Sequence, residues 1–380
     1  MATSFVPIGQ QELALEESLM ADVVEESIDE AIAETYDVSQ EVPYEKTPSL
    51  FDRSKEPPYG EELELSVPSV WEASLANGVR ILGIKNREVP LVYFNMYIEG
   101  GQLLETPEQA GITNLLSQLM NKGTLNKTPE ELENAIKQLG SSISISSGQE
   151  EIRISGLSMA KNYKATMKLV EEMLLEPRWD ESELELVKKS VESRLLQQAA
   201  NPNAIAANQF NKLIYGADDI RSLNQLGSLE TVRATTMEDL KQHYKQNINP
   251  AIARLNVVGA VDKEDVLSSL GSLNEKWLGK EVIPIQISDP EPFGEAMVYF
   301  YDVSNAKQSV IYLGYPALAE TDPEYYPAMV MNYILGGGGF ASRLTQELRV
   351  EKGYTYGIRS AFTGSAYKGP FRIATSVQSK

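Results

Sequence analysis

The rhythm of apolar and polar positions changes several times along the chain, and each change predicts an element. Leu13, Leu19, Met20, Val23, Val24, Ile28 and Ile32 recur at three- and four-residue intervals within 11–35. That spacing predicts an acidic amphipathic helix, with a disordered acidic arm as the competing reading. Pro43, Pro48, Pro57, Pro58 and Pro68 then stand among charges and predict an extended linker over 42–68.

A new style begins near Trp71. WEASLANGVRILGIKN reads as two short strands around the Asn77–Gly78 turn, and LVYFNMYIEGG reads as a strand ending at Gly100 and Gly101. Helical periodicity follows in PEQAGITNLLSQLMNKGT and PEELENAIKQLG, with Gly140 as a stop signal. SSISISSGQEEIRISGLS alternates like an antiparallel hairpin. Amphipathic helices are predicted over about 161–175, 180–200 and 203–214, then a helix in TMEDLKQHYKQNI, a strand in ARLNVVGAVD and a helix in VDKEDVLSSL. The order then restarts. MVYFYD and SVIYLGYPAL are strand-like, PEYYPAMVMNYILGGGGFASRLTQELRVEKG reads helix, glycine loop, helix, and YTYGIRSAF and FRIATSVQS read as paired strands.

This restart predicts an α+β fold of two duplicated domains, each an antiparallel-rich sheet with helices packed on one face. The predicted boundaries are 1–67 for the arm and linker, 68–285 for the first domain and 286–380 for the second, which reads as truncated because it is much shorter than the first.

Composition narrows the chemistry. The 380 residues include no cysteine and one histidine, which excludes thiol nucleophiles, thiolate metal sites and sites built from several imidazoles. The single histidine, His243, falls in an ordinary helical pattern and is read as a surface residue, which speaks against a Ser-His-Asp triad. A net charge of −20 argues against nucleic acid and anionic membranes as partners. Residues 1–67 hold 17 acidic and 3 basic side chains, so −14 of that charge belongs to the arm. No stretch has the length and apolarity of a membrane span, and the first twenty residues lack the basic and apolar regions of an export signal.

LANGVRILGI, YIEGGQLLETPEQAGITNLLSQLMNKGT, LIYG, TMEDLKQHYKQNINPAIARLNVVGAVD and YILGGGGFASRLTQELRVEKGYTYGI, in that order over about 70–365, resemble the pitrilysin-type zinc metallopeptidases. The resemblance implies a zinc motif, His-x-x-Glu-His, on the helix after the Gly-Gly strand. At helical spacing such a motif sets two imidazoles on one face with a carboxylate beside them to activate the metal-bound water. The corresponding positions here are Asn114, Ser117 and Gln118. The distal glutamate of the metal shell falls near Arg194, with Glu192 as the neighbouring register. Neutral amides and a hydroxyl are weak zinc ligands, and serine cannot take the proton. The resemblance thus implies a degenerate motif, no metal or cofactor bound by this chain, and no catalytic residue in this chain alone.

The second half retains what the resemblance assigns to the non-metal domain, an arginine and a tyrosine seven residues apart that reach toward substrate. These are Arg349 and Tyr356, with Tyr354 as the alternative register. A guanidinium and a phenol aimed at a carbonyl orient a peptide and stabilise developing negative charge. Gly336, Gly337, Gly338 and Gly339 form a run read as breaking the helix, either as a substrate-handling loop like that of a processing peptidase's non-catalytic subunit or as a simple connector. The implied partners are an active zinc-bearing homologue, as a heterodimer or a fused tandem unit, and a peptide substrate. Zinc is expected in the partner. A structural or peptide-binding protein with no part in proteolysis is the alternative. PSLFDRSKEPPYG and PSVWEASLANGVRILGI are also similar to stretches of secreted or periplasmic bacterial members of the family.

Overall fold

The structure, a computed structural model, describes residues 66–378 apart from 283, 284 and 305, together with 51, 52, 54–56, 58 and 60. The expected acidic helix over 11–35 lies outside the described residues, as does most of the linker. The chain divides into two units, Met1–Ser66 and Val67–Lys380. The second unit carries two sheets.

Its first sheet has six strands in the order β1-β2-β6-β3-β5-β4. These are β1 (Trp71–Ser74), β2 (Arg80–Lys85), β3 (Leu91–Glu99), β4 (Ser142–Ser147), β5 (Glu151–Met159) and β6 (Ala253–Gly259). The β1–β2 hairpin turns at Asn77–Gly78 as the sequence predicts, with Gly78 at φ 104° and the Asn77 carboxamide donating to Trp277 O at 3.1 Å. β6 lies between β2 and β3, parallel to the first and antiparallel to the second.

Alternation in β3 decides which face is covered. Val92, Phe94, Met96 and Ile98 are buried, and they share one core with Ile112, Leu115, Leu116, Leu119 and Met120 of α1 (Ile112–Met120). Truncating a leucine so enclosed costs about 2–5 kcal/mol. Gly101, at φ 53°, lets the chain leave β3 over the β4–β5 turn, since a Cβ there would come within 2.5 Å of Glu151 N. Downstream run α2 (Pro129–Gln138), α3 (Tyr163–Leu175), α4 (Glu181–Ala199), α5 (Pro202–Tyr215), α6 (Leu229–Ala234) and α7 (Met237–Asn247), followed after β6 by α8 (Lys263–Ser269) and α9 (Gly271–Lys276). All but α6 and α9, two short helices that the sequence reading did not predict, match the helical periodicity of the sequence.

The second sheet has three strands, β7 (Gln308–Pro316), β8 (Thr355–Phe362) and β9 (Pro370–Gln378), in the order β7-β9-β8 and antiparallel throughout. That order repeats β3-β5-β4 of the first sheet, so the duplication read from the sequence is present in the topology. Phe210 of α5 packs edge-on against Tyr312 of β7, with ring centroids 5.7 Å apart.

One expected strand is absent. MVYFYD at 297–302 has no strand structure, and Val298 and Phe300 are 98 % and 90 % exposed. The reason lies in pairing. In the first sheet β2, the equivalent segment, is held by β6, whereas among the described residues no strand pairs with the second edge of β7. Apolar sequence alone does not make a strand without a neighbouring ladder.

The open β7 edge carries no charge and no interior proline, and Ile311, Leu313 and Tyr315 are exposed on it. Such edges template self-association. Leu313→Lys is expected to lower concentration-dependent light scattering and leave stability within about 0.5 kcal/mol, as for an ordinary surface change. Scattering equal to that of the parent chain would show that this edge is not the sticky surface.

Candidate functional site

α1 leaves the Gly100–Gly101 crossing with Gly111 as its N-cap, at φ 93°. Its exposed N–H groups are met by the buried carboxylate of Glu105, which accepts from Gly111 N and Thr113 N, both at 2.8 Å. Burial pushes the Glu105 carboxyl up to about 7, while those hydrogen bonds pull it down. Thr113 continues the polar seam, its hydroxyl lying 3.2 Å from Gly101 O and 2.9 Å from His243 Nε2.

His243 is therefore not the surface residue read from the sequence. It is 5 % exposed, its Nδ1 lies 3.0 Å from the Asn247 carboxamide, and burial lowers its pKa from 6.5 to about 4. The signal was present in α7, where Met237, Leu240, His243 and Asn247 recur at three- and four-residue spacing on one face, from which His243 reaches Thr113 of α1.

One turn further, Asn114 and Gln118 stand one above the other. The Gln118 carboxamide donates to Asn114 Oδ1 at 2.6 Å, and Arg194 of α4 donates to Gln118 Oε1 at 2.7 Å. The structure thus brings together Asn114, Gln118 and Arg194 from helices far apart in sequence. Glu192 turns elsewhere and pairs with Arg233 at 3.0 Å. Ser117 is buried, with no hydrogen-bond partner for its hydroxyl.

This donor set does not fit zinc. It offers two carboxamides already bonded in series, a hydroxyl and a guanidinium, which is a cation with no lone pair to give. Among the described residues no group of three His, Asp or Glu side chains could hold a metal ion.

At the C-terminal end of α1, Asn121 makes a contact that the sequence did not suggest. Its carboxamide pairs with both backbone groups of Ile145 in β4, at 2.9 Å and 2.8 Å.

A second cluster forms on the other sheet. The chain from α10 (Tyr325–Asn332) breaks at the glycines later than expected, at Gly338. It continues as a π-helical turn over Tyr333–Gly337 and then a 3₁₀ turn over Gly339–Ala341. Gly336 is required by close packing, because a Cβ would come within 2.4 Å of Ser360 Oγ in β8. Asn332 ties the same place, accepting from the Ser360 hydroxyl at 2.6 Å. Gly337 and Gly338 lie against Asn332 and Tyr333, and Gly339 takes φ 69°.

That loop delivers Phe340. The Arg349 guanidinium sits 4.4 Å from the Phe340 ring centroid and 5.7 Å from that of Tyr356. Tyr356 is 91 % exposed, at a register shift in β8 where Thr355 Oγ1 accepts from Gly357 N. Tyr354 is also exposed, and its N–H is bonded to Leu348 O. The structure therefore joins Arg349 to Tyr356 and adds Phe340, which sequence spacing alone did not connect to them.

Two family models match the chain in succession: "Insulinase (Peptidase family M16)" over 80–221 and "Peptidase M16 inactive domain" over 234–380. The chain belongs to the M16, or pitrilysin-type, peptidase family. It is an inactive member, which agrees with ligand positions unsuited to zinc. The M16 chain is 24% identical over 311 residues to the non-peptidase homolog YmxG of Helicobacter pylori, covering 80% of this chain and 70% of that protein. It is 26% identical over 287 residues to a protein of Bacillus subtilis named uncharacterized zinc protease YmxG, covering 75% and 68%. The fold matches that of a peptidase M16 inactive domain from Pseudomonas fluorescens with a TM-score of 0.74 at 22% identity, over 82% of this chain and 74% of that one. It also matches a Helicobacter pylori protease structure with a TM-score of 0.76 at 17% identity, over 82% and 76%. Among the described residues no helix is long and apolar enough to cross a membrane.

Proposed function

We propose that this inactive M16 chain pairs with a zinc-bearing homologue and handles extended peptide in the chamber between them. The partner supplies the metal and the general base. This chain supplies Arg349 and Tyr356, while Asn114, Ser117, Gln118 and Arg194 occupy the place of the lost metal site. The observation that carries the reading is the Arg349–Phe340–Tyr356 stack. A guanidinium packed against two rings, one of them the exposed phenol of Tyr356, is oriented before any ligand arrives, and among the described residues no ion pair engages it.

The test is coexpression with a homologue carrying an intact His-x-x-Glu-His helix, followed by peptide cleavage. Arg349→Ala is expected to lower kcat/KM at least about tenfold, and Arg349→Lys to restore little, because lysine lacks the planar face that stacks. Unchanged turnover in both variants would remove Arg349 from the reaction.

A second reading has one observation in its favour. Asn121 already occupies Ile145 on the outer edge of β4, where an extended peptide would add. A chain with that edge permanently closed would serve as a scaffold with no role in proteolysis.

A further inference from the structure

The side chains that stand where the metal does not fit form a chain of hydrogen bonds running one way. Arg194 can only donate, so Gln118 has to turn Oε1 toward it, and the 2.7 Å contact fixes that carboxamide the one way round. Gln118 Nε2 then donates to Asn114 Oδ1 at 2.6 Å, which leaves the two N–H donors of Asn114 Nδ2 without a bond. Both carboxamide oxygens are engaged, and what the cluster still offers is N–H groups.

Arg194 also lacks a counter-ion. Arg178 and Arg221, which are enclosed too, each pair with an aspartate two residues away, at 3.1 Å and 2.7 Å. Arg194 has a glutamate at the same spacing, but Glu192 is spent on Arg233. Its half-buried guanidinium therefore meets one neutral oxygen, and its Nε is enclosed with no hydrogen-bond partner. A cation held partly out of water without an anion is costly, and a charge-assisted hydrogen bond to an incoming anion removes that cost.

We propose that the place of the lost metal is a carboxylate-binding site that takes the C-terminal carboxylate of a peptide. Arg194 and Asn114 donate to the carboxylate, and Gln118 holds the two donors together. One guanidinium among neutral amides matches a single negative charge, whereas a phosphate brings nearly two. Lone pairs that would hold a cation have given way to N–H groups that hold an anion. The proposal rests on the peptide-handling reading above and names the end of the peptide that this chain grips.

The experiment uses an uncharged peptide, labelled with fluorescein at its N-terminus, in three forms: the free acid, the C-terminal amide, and the amide with one internal glutamate. Anisotropy reads binding to the parent chain, Arg194→Gln and Gln118→Glu. The parent is expected to bind the acid about tenfold more tightly than the plain amide, the worth of one hydrogen bond to a charged group. That preference should vanish in both variants. Gln118→Glu gives Arg194 an internal counter-ion, so its denaturant midpoint should rise as the preference disappears, which damage to the fold would not produce. If the glutamate-bearing amide matches the acid and weakens with it in Arg194→Gln, the carboxylate site stands and its ligand is an acidic side chain. Acid and plain amide that bind the parent equally, or no binding of any form, would overturn the carboxylate site. Peptide handling is tested separately, by the turnover of the Arg349 variants.

Discussion

Asn114→His, Ser117→Glu, Gln118→His and Arg194→Glu, introduced together, are expected to make the chain bind zinc stoichiometrically, with no zinc expected in the parent measured alongside. The geometry behind this expectation is already present. Positions 114 and 118 lie one helical turn apart and their side chains touch at 2.6 Å, while the side chain at 194 reaches the same point at 2.7 Å. A histidine pair at this spacing offers two nitrogens to one ion at about 2.0–2.1 Å each. Glutamate is shorter than arginine, and a metal bridging the two sides takes up the difference. Elemental analysis after gel filtration measures the outcome. A metal-dependent rise in stability of about 2.7 kcal/mol, at free zinc a hundredfold above Kd, would accompany it. Absence of zinc in a folded variant would show that α1 and α4 no longer stand at the separation a metal needs.

The parts of this arrangement differ in how far the sequence discloses them, and the differences have physical causes. The helix carrying 114, 117 and 118 is legible because its apolar stripe repeats at helical spacing, which fixes the register of every polar position on it. Arg194 is legible only to within a residue or two, since reaching Gln118 depends on how α4 crosses α1. The structure separates it from Glu192 by sending that carboxylate to Arg233. The failure at 297–302 is of another kind. A strand pattern states which side chains alternate, whereas strand formation requires a neighbour, and the neighbour of β2 in the first sheet comes from residues more than 160 positions downstream. Asn121 was invisible for a similar reason: an asparagine at a helix end usually caps that helix, and only the fold brings the β4 edge to it.

Phe340 shows how a local misreading hides a long-range contact. Four consecutive glycines argue for a break, and a break gives no reason to relate Phe340 to Arg349. The π turn instead keeps the chain wound through Gly337 and directs the ring under the guanidinium.

His243 is expected to make the chain acid-sensitive in a defined window. The unfolded chain takes up a proton on this imidazole near pH 6.5, whereas the folded chain resists until about pH 4, because burial leaves the charged ring without water. Between those values the unfolded state binds more protons, so stability falls as pH falls and the loss is complete below about 4. Its full size is about 3 kcal/mol. Glu105, on the same polar seam, works in the opposite direction. Its carboxyl is raised to about 7, so the folded state holds the extra proton between about 4.5 and 7 and stability from this group falls as pH rises. The two contributions offset one another near pH 6, and the histidine has to be isolated by substitution. His243→Phe removes its titration and also the contact with Thr113. The variant should be less stable than the parent at pH 8, through the lost hydrogen bond, and should close or reverse that difference by pH 5. Denaturant midpoints measured across this range decide the matter. A parent-to-variant difference that stays constant with pH would mean that the imidazole is reached by water and titrates normally.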